Sequence, residues 1–336
     1  MKEVIEISTS TILRFILIIL GIGLLYLIRD VILILFVAVI ITSAVDGPVD
    51  WLQKHRVRRI FGVAMIYLAF FAFLGLLIFL VVPPLAHEVK LLALNFPDYW
   101  DRLSSDFTIL SEKSGFSDSI QAILNKFGDH LNGWASNAFS TTVGIFGGVF
   151  KFLIIIVISI YFSIREKGIK KFFIAVTPQG QQTYAVSLID RIQAKLGGWL
   201  RGQILLSFII GLLVFIGLSI FKIKYALVLA LIAGVLEIVP YIGPIIAGTI
   251  AVVLVFIQSP ILALFTLITF YVIQELEKYV ITPQIMGRMV GLDPVVVIIA
   301  ALIGAELAGI FGIIISVPIA AGLSVFLRDI FIERKS

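Results

Sequence analysis

The sequence contains no cysteine, three histidines and few charged residues, which make up 14% of its 336 positions. The lack of cysteine excludes disulfides, thiolate chemistry and cysteine-based metal sites. His55, His87 and His130 all lie outside the apolar runs, so an intramembrane Ser–His protease would lack its base. His87 and Glu88 lack the second histidine of a helical zinc motif, and no Walker-type phosphate loop is present. We therefore expect no enzyme activity, no cofactor and no metal site.

Apolar residues are abundant and form long uninterrupted runs. They account for 60% of the chain, and the mean hydropathy is +1.12. Runs of this length are typical of transmembrane helices, so the sequence predicts an all-α polytopic membrane protein in a lipid bilayer. The first run, residues 12–28, has no small-residue cleavage site and is interpreted as an anchor helix. The predicted uninterrupted spans are residues 11–28, 31–49, 60–82, 143–164, 203–221 and 260–281.

Two further apolar segments, residues 225–257 and 294–327, break in the middle around glycine, proline and a carboxylate. Each half before the break is about a dozen residues, or about 18 Å of helix, against a hydrocarbon core of about 30 Å. A broken backbone must be buried in protein or line a wet cavity. We expect about eight membrane segments, two of them broken or re-entrant hairpins that form a transporter's binding site.

Basic residues cluster in short loops and predict the orientation of the chain. The formal net charge of +5 comes partly from residues 55–59, 165–171 and 333–335. Lys and Arg next to apolar spans indicate the cytoplasmic side rather than a nucleic-acid partner. Both termini are therefore predicted to be cytoplasmic. The two broken segments then enter from opposite faces, in inverted orientation.

The same pattern divides the chain into four parts. Residues 1–82 are predicted to form a scaffold of three spans, and residues 83–142 an extracytoplasmic helical insert with an amphipathic helix at 119–131. Residues 143–201 would hold the fourth span and a basic cytoplasmic stretch. Residues 202–336 would form the transport core.

Polar groups within the apolar segments are the candidate functional residues, because an ionisable side chain in lipid costs several kcal/mol. Proline and glycine would stop one half-helix and start the next, and the freed backbone groups would become ligand contacts. The candidate solute or ion pathway comprises Glu237, Pro240, Tyr241, Gly243, Pro244, Gln274, Glu275, Glu277, Glu306, Gly309 and Gly312.

Several motifs of the C-terminal half occur in a recognisable order. They are Arg201-Gly-Gln203, Glu237-Ile-Val-Pro-Tyr-Ile-Gly-Pro-Ile-Ile-Ala-Gly248, Gln274-Glu-Leu-Glu277, Pro283-Gln-Ile-Met-Gly-Arg288, Val290-Gly-Leu-Asp-Pro294, Ile303-Gly-Ala-Glu-Leu-Ala-Gly-Ile-Phe-Gly312 and Val317-Pro318. With these motifs the chain resembles the AI-2E (autoinducer-2 exporter) family. The resemblance implies a transporter of the bacterial cytoplasmic membrane and a homo-oligomer, for which a pentamer is one option.

Three functions remain open at this point. The first is a secondary transporter that exports a small polar molecule, such as an autoinducer-2-like signal. The second is a Na⁺(Li⁺)/H⁺ antiporter in which Glu237, Glu306 or Glu275 exchanges protons for the cation. The third is a non-transporting membrane scaffold whose outer insert binds a partner.

Overall fold

The computed structural model describes residues 9–84, 138–165, 170–171, 174–175, 177–256 and 259–333. Throughout these ranges the regular structure is helical, and they contain no strand. The predicted all-α class is therefore confirmed. The predicted insert helix at 119–131, like His87 and His130, lies outside the described residues.

Ten helices are defined by their bounds as follows: α1 Thr9–Leu27, α2 Arg29–Lys54, α3 Arg59–Pro84, α4 Ala138–Ile164, α5 Gln182–Ile220, α6 Ala226–Leu236, α7 Ile242–Phe256, α8 Pro260–Leu276, α9 Thr282–Met289 and α10 Pro294–Glu333. A 3₁₀ turn, Gln179–Gln181, precedes α5, and one π-helical turn, Glu277–Ile281, joins α8 to α9.

Five helical stretches of the described chain are long and apolar enough to cross a membrane: Arg29–Lys54, Arg59–Pro84, Gln179–Ile220, Pro260–Met289 and Pro294–Phe331. Their outer faces carry many exposed leucine, isoleucine and phenylalanine side chains, a surface that suits hydrocarbon and not water. The chain is an integral membrane protein. The finer count of eight membrane segments stays a prediction, because the two arms of the first broken segment, α6 and α7, have only 11 and 15 residues.

Helix α5 is the central element of the described structure. It contacts α2, α6, α8, α9 and α10. The sequence divided this region at residue 201 into a basic stretch and a span, but the structure has one continuous helix of 39 residues. Leu206, Ile210 and Val214 of α5 are buried in the largest apolar cluster together with residues of α6, α7 and α8. Through these contacts α5 positions the first broken segment.

The first break separates α6 from α7 at residues 237–241, within the predicted run. Tyr241 has a left-handed backbone with φ 66°, which is uncommon for a residue with a side chain. The chain then folds back so closely that a Cβ added to Gly243 would lie 1.8 Å from the carbonyl oxygen of Leu236. α6 and α7 therefore form a tight helical hairpin, and a glycine is needed where its arms meet.

The second break lies inside α10, at Ala308 (φ −147°) and Gly309 (φ 58°). Its two arms touch through glycines, since a Cβ on Gly304 would lie 2.3 Å from the Gly312 carbonyl oxygen. Both predicted breaks are thus present as folded-back helices. Their re-entrant placement in the bilayer and their inverted orientation stay predictions.

Helices α2, α3 and α4 are joined by a buried polar network. The Thr42 hydroxyl donates to the Ala38 carbonyl oxygen at 2.7 Å and lies 3.1 Å from the Ser159 hydroxyl, which also bonds the Tyr67 hydroxyl. At the end of this group the Arg59 guanidinium donates to Asp46 at 2.9 Å and to Asp50 at 2.8 Å. Polar contacts of this kind hold apolar helices in one register.

Candidate functional site

A buried polar cluster forms where the first break meets α5 and the end of α8. Its central residue, Glu237, follows the last residue of α6 and is 1% exposed. Gln203 of α5 is 2% exposed, and its Nε2 donates to the Glu237 backbone carbonyl oxygen at 2.5 Å. The amide thereby satisfies a carbonyl that the end of α6 leaves without a helical partner. The α5–α6 packing holds Glu237 inside the protein.

The second carboxylate of the cluster, Glu277, is held by two side chains. Gln274 Nε2 donates to Glu277 Oε2 at 2.7 Å, and Thr282 Oγ1 lies 3.5 Å from Oε1. Glu277 opens the π-helical turn, in which the Thr282 amide donates to the Glu277 carbonyl oxygen. Single π-helical turns are rare in proteins, and those that occur often lie at functional sites. Here the turn places the side chains of α8 and α9 around one carboxylate.

The carboxyl groups of Glu237 and Glu277 lie close enough to hydrogen-bond to each other. Glu237 Oε2 is buried and has no donor within reach among the described residues. A carboxylate only accepts hydrogen bonds, so this pair can bond only when one of its members holds a proton. The geometry therefore calls for one proton between the two acidic side chains.

Five backbone amides at the first break donate within the turn and are not free for a ligand. The amides of Glu237, Val239 and Gly243 donate to the carbonyl oxygens of Ala233, Leu236 and Val239 at 2.9–3.0 Å. Residues 238 and 242 also donate within the turn, at 3.3 and 2.8 Å. The break thus satisfies these five donors locally.

The other residues predicted around the first break have distinct positions. Gly243 and Pro244 are buried at the start of α7, and Pro240 precedes the left-handed Tyr241. The Tyr241 ring is 51% exposed and lies within electrostatic reach of Glu277. Pro240, Gly243 and Pro244 therefore shape the hairpin, and Tyr241 lies at the edge of the carboxyl pair.

The second break is separate from this cluster. Glu306 is exposed and makes no hydrogen bond or ion pair to any described residue, and Gly309 is exposed beside it. Gly312 is buried against the opposite arm of its own hairpin. Glu275 is half-buried and interacts electrostatically with Lys278. It is not a member of the carboxyl pair. The structure brings Glu237, Tyr241, Gln274 and Glu277 together. Glu275, Glu306, Gly309 and Gly312 lie outside this cluster.

Two members of the cluster, Gln203 and Thr282, were not among the predicted pathway residues. Gln203 carried a usable signal, because an uncharged amide near the start of an apolar span needs a partner. Thr282 carried none, since a threonine after a predicted span is ordinary. Its role depends on the π turn, which has no sequence signature of its own.

Comparison with known proteins agrees with this architecture. The model of the AI-2E family transporter matches residues 15–332. "Putative transport protein YueF" of Bacillus subtilis is 27% identical over 295 residues, which cover 84% of this chain and 80% of the relative. "Putative transport protein YrrI" of the same species is 25% identical over 305 residues, or 89% of this chain and 86% of the relative.

A third relative carries a more specific name. The "Sodium-lithium/proton antiporter" of Halobacillus andaensis is 24% identical over 313 residues, which cover 86% of this chain and 87% of the relative. The family match extends over nearly the whole chain and includes both broken segments and the carboxyl pair. This chain belongs to the AI-2E family of transporters.

Proposed function

We propose that this protein is a secondary transporter that exchanges a monovalent cation for protons across the cytoplasmic membrane. The observation that carries the proposal is the pair formed by Glu237, buried at the break of an apolar hairpin, and Glu277, half-buried at the end of α8. Intramembrane carboxyl groups are costly, and proton relays and ion pathways are the places where transporters keep them. Discontinuous helices are likewise where transporters bind coupling ions.

The chemistry of exchange follows from competition for the same oxygens. With one proton, the two carboxyl groups hydrogen-bond and carry a single negative charge between them. Na⁺ or Li⁺ can replace that proton, since both are hard cations that prefer oxygen ligands. The Thr282 hydroxyl, 3.5 Å from Glu277, adds a neutral oxygen at the same place. Proton and cation would then occupy the site in turn, which is the requirement for antiport.

The surroundings of the pair support this assignment. Gln203 and Gln274 use their amide N–H groups on the Glu237 carbonyl and on the Glu277 carboxylate. The pair is thus held from two helices. Residues 202–336 would form the transport core beside a scaffold of residues 1–82. The similarity to a sodium-lithium/proton antiporter favours the same ion class.

The test is proton flux in liposomes that contain the purified full-length protein. A Na⁺ or Li⁺ gradient is expected to drive proton movement in the wild type, measured with an entrapped pH-sensitive dye. Glu237→Gln keeps the side chain's size but cannot release a proton, so flux should fall to the level of protein-free liposomes. Asp30→Asn is the matched control, because Asp30 is exposed and ion-paired to Lys151 at 3.1 Å, away from the cluster. Wild-type flux in a folded Glu237→Gln protein would refute the proposal.

The same assay separates the three candidate carboxylates. Glu306→Gln should retain most of the flux, because Glu306 is exposed at the tip of a different hairpin. Glu275→Gln should also retain more flux than Glu237→Gln, since Glu275 lies outside the pair. If Glu306→Gln alone abolished flux, the transported ion would follow the second break, and the assignment of the site to Glu237 would be wrong.

Export of a small polar signal is the second candidate, and the family match favours it. Uptake of Na⁺, Li⁺ and a furanone-like sugar into inverted membrane vesicles distinguishes the two. Cation-driven proton flux without sugar uptake supports exchange. Sugar uptake that Glu237→Gln abolishes, with no cation-dependent flux, supports the exporter instead.

A further inference from the structure

A separate cavity of about 880 Å³ lies between the first part of α5, the turn from α9 to α10 and the last part of α10. None of the residues assigned to the carboxyl-pair cluster lines it. Its walls are formed by Tyr184, Arg191, Ala194, Lys195, Arg288, Met289, Val290, Gly291, Ser324, Val325, Arg328 and Asp329. This volume is within the range of about 300–1,000 Å³ that is typical of small-ligand sites.

The cavity is strongly basic. Arg191, Lys195, Arg288 and Arg328 line it against one acidic residue, Asp329. Like charges that line one cavity repel each other, and solvent screens part of this repulsion because Arg191, Arg288 and Arg328 are exposed. A bound anion would remove this cost.

Two of the four basic groups are already held in place by the protein. Arg191 makes a two-pronged ion pair with Asp329, with Nη1 at 2.7 Å from Oδ1. Lys195 Nζ donates to the Val290 backbone carbonyl oxygen. The Asp329 carboxylate is therefore engaged by Arg191 and, at 3.1 Å, by the Tyr184 hydroxyl. These contacts make the wall of the cavity rigid but do not use its other two cations.

The guanidinium groups of Arg288 and Arg328 are exposed and make no hydrogen bond with any side chain in the described ranges, and Arg328 lies within electrostatic reach of Asp329. They come from different elements, the end of α9 and the end of α10. The planar fork of guanidinium matches the oxygens of a phosphate group better than it matches a halide. The cavity thus presents unused donors of the type that phosphate recognition requires.

We propose that this cavity is an anion site that binds a phosphate group through Arg288 and Arg328. The basic loops predict that this end of the chain faces the cytoplasm, where anionic phospholipids attract clusters of Lys and Arg. The phosphate could belong to a lipid headgroup or to a soluble phosphate compound of the cytoplasm. Both sources share the same chemistry at the arginines, and the experiment below separates them.

The test uses the purified full-length protein in a neutral detergent at low ionic strength. Thermal unfolding is followed while phosphatidylglycerol, phosphatidylcholine or inorganic pyrophosphate is added, with sodium chloride at matched ionic strength as reference. A ligand that binds only the folded state raises the unfolding temperature with concentration. A rise with phosphatidylglycerol alone identifies a lipid headgroup. A rise with pyrophosphate as well identifies a site open to soluble phosphates, and no rise with either overturns the proposal.

The double variant Arg288→Gln/Arg328→Gln shows whether the cavity is responsible. Each lost charge-assisted contact should weaken the apparent affinity about tenfold. Lys54→Gln/Arg58→Gln is the matched control, because it removes the same charge from exposed residues on the same predicted face, outside the cavity. An equal loss in both double variants would show general charge attraction and would overturn the proposal. If the double variant unfolds without ligand, Arg288→Gln alone should still bind about tenfold more weakly.

Discussion

Replacing Gly243 with alanine tests whether the tight turn of the first hairpin holds the carboxyl pair in place. The added Cβ would lie 1.8 Å from the Leu236 carbonyl oxygen and 3.1 Å from the Glu237 amide nitrogen. Cβ contacts under 3.0 Å essentially never occur, so the separation must grow by about 1.2 Å. Both neighbours are backbone atoms, and no side-chain rotation can relieve the contact.

The expected cost is large for a single methyl group. Overpacking in a well-packed core destabilises by about 1–3 kcal/mol, and here the backbone itself must move. We expect the unfolding temperature to fall by several degrees, at about 2–4 °C per kcal/mol for large domains. Cation-dependent proton flux per folded protein should also fall, because the displaced backbone is that of Glu237.

The assay compares thermal unfolding and liposome flux of Gly243→Ala with those of Gly75→Ala. Gly75 lies in α3, and a Cβ added there would meet nothing within 4 Å. The control should therefore keep the wild-type flux and unfold within a degree or two of the wild type. If Gly243→Ala matched this control in both measurements, the close approach of the two arms would not constrain the site, and the reasoning from the hairpin geometry would fail.

Two further predictions concern single hydrogen bonds. Gln203→Leu removes the donor to the Glu237 carbonyl oxygen and leaves that oxygen buried, which should destabilise by about 1–3 kcal/mol and lower cation-dependent flux. Unchanged flux in Gln203→Leu would show that this amide does not position the pair. Tyr67→Phe removes the hydroxyl that bonds Ser159 and should lower stability by about 1 kcal/mol, with flux intact, because this network joins α2, α3 and α4 away from the site. If Tyr67→Phe lost flux at wild-type stability, the polar network of α2, α3 and α4 would affect the carboxyl-pair cluster, and this prediction would be wrong.

The positions of both breaks could be predicted from the sequence because the local chemistry is unambiguous. Two prolines and a glycine, at 240, 244 and 243, together disfavour one regular helix, and the structure ends α6 at Leu236 and begins α7 at Ile242. Gly309 provides the positive φ of the second break. These backbone effects of proline and glycine act on neighbouring residues, so they can be predicted from a single sequence.

The assembly of the site could be predicted only in part, because it depends on contacts between distant segments. Glu237 and Glu277 were both candidates, but nothing in their spacing indicates that their carboxyl groups meet. Glu306 looked equivalent to Glu237, since each is a carboxylate at a break in an apolar segment. The structure separates them by burial: Glu237 is 1% exposed, whereas Glu306 points outward from its hairpin. Which face of an apolar helix is buried depends on packing that composition does not determine.

The packing around α5 also indicates which part of the first broken segment can move. Residues of α5 and α6, including Leu206, Ile210, Leu229 and Ala233, lie in one buried cluster, so sliding the whole hairpin would expose or break that core. On its other side α5 is fixed to α9, because Leu196 and Trp199 pack in a cluster with Val290 and Met286.

Helix α9 connects the two proposed sites, since Thr282 begins it and Met289 ends it about 12 Å away. The α5–α9 unit thus supplies fixed walls to both sites: Gln203 and Thr282 to one, Lys195 and Met289 to the other. Against such walls, we expect a conformational change to be confined to the break itself, from Glu237 to the left-handed Tyr241. A local rearrangement there would expose the carboxyl pair at a smaller energetic cost than moving the helices that hold it.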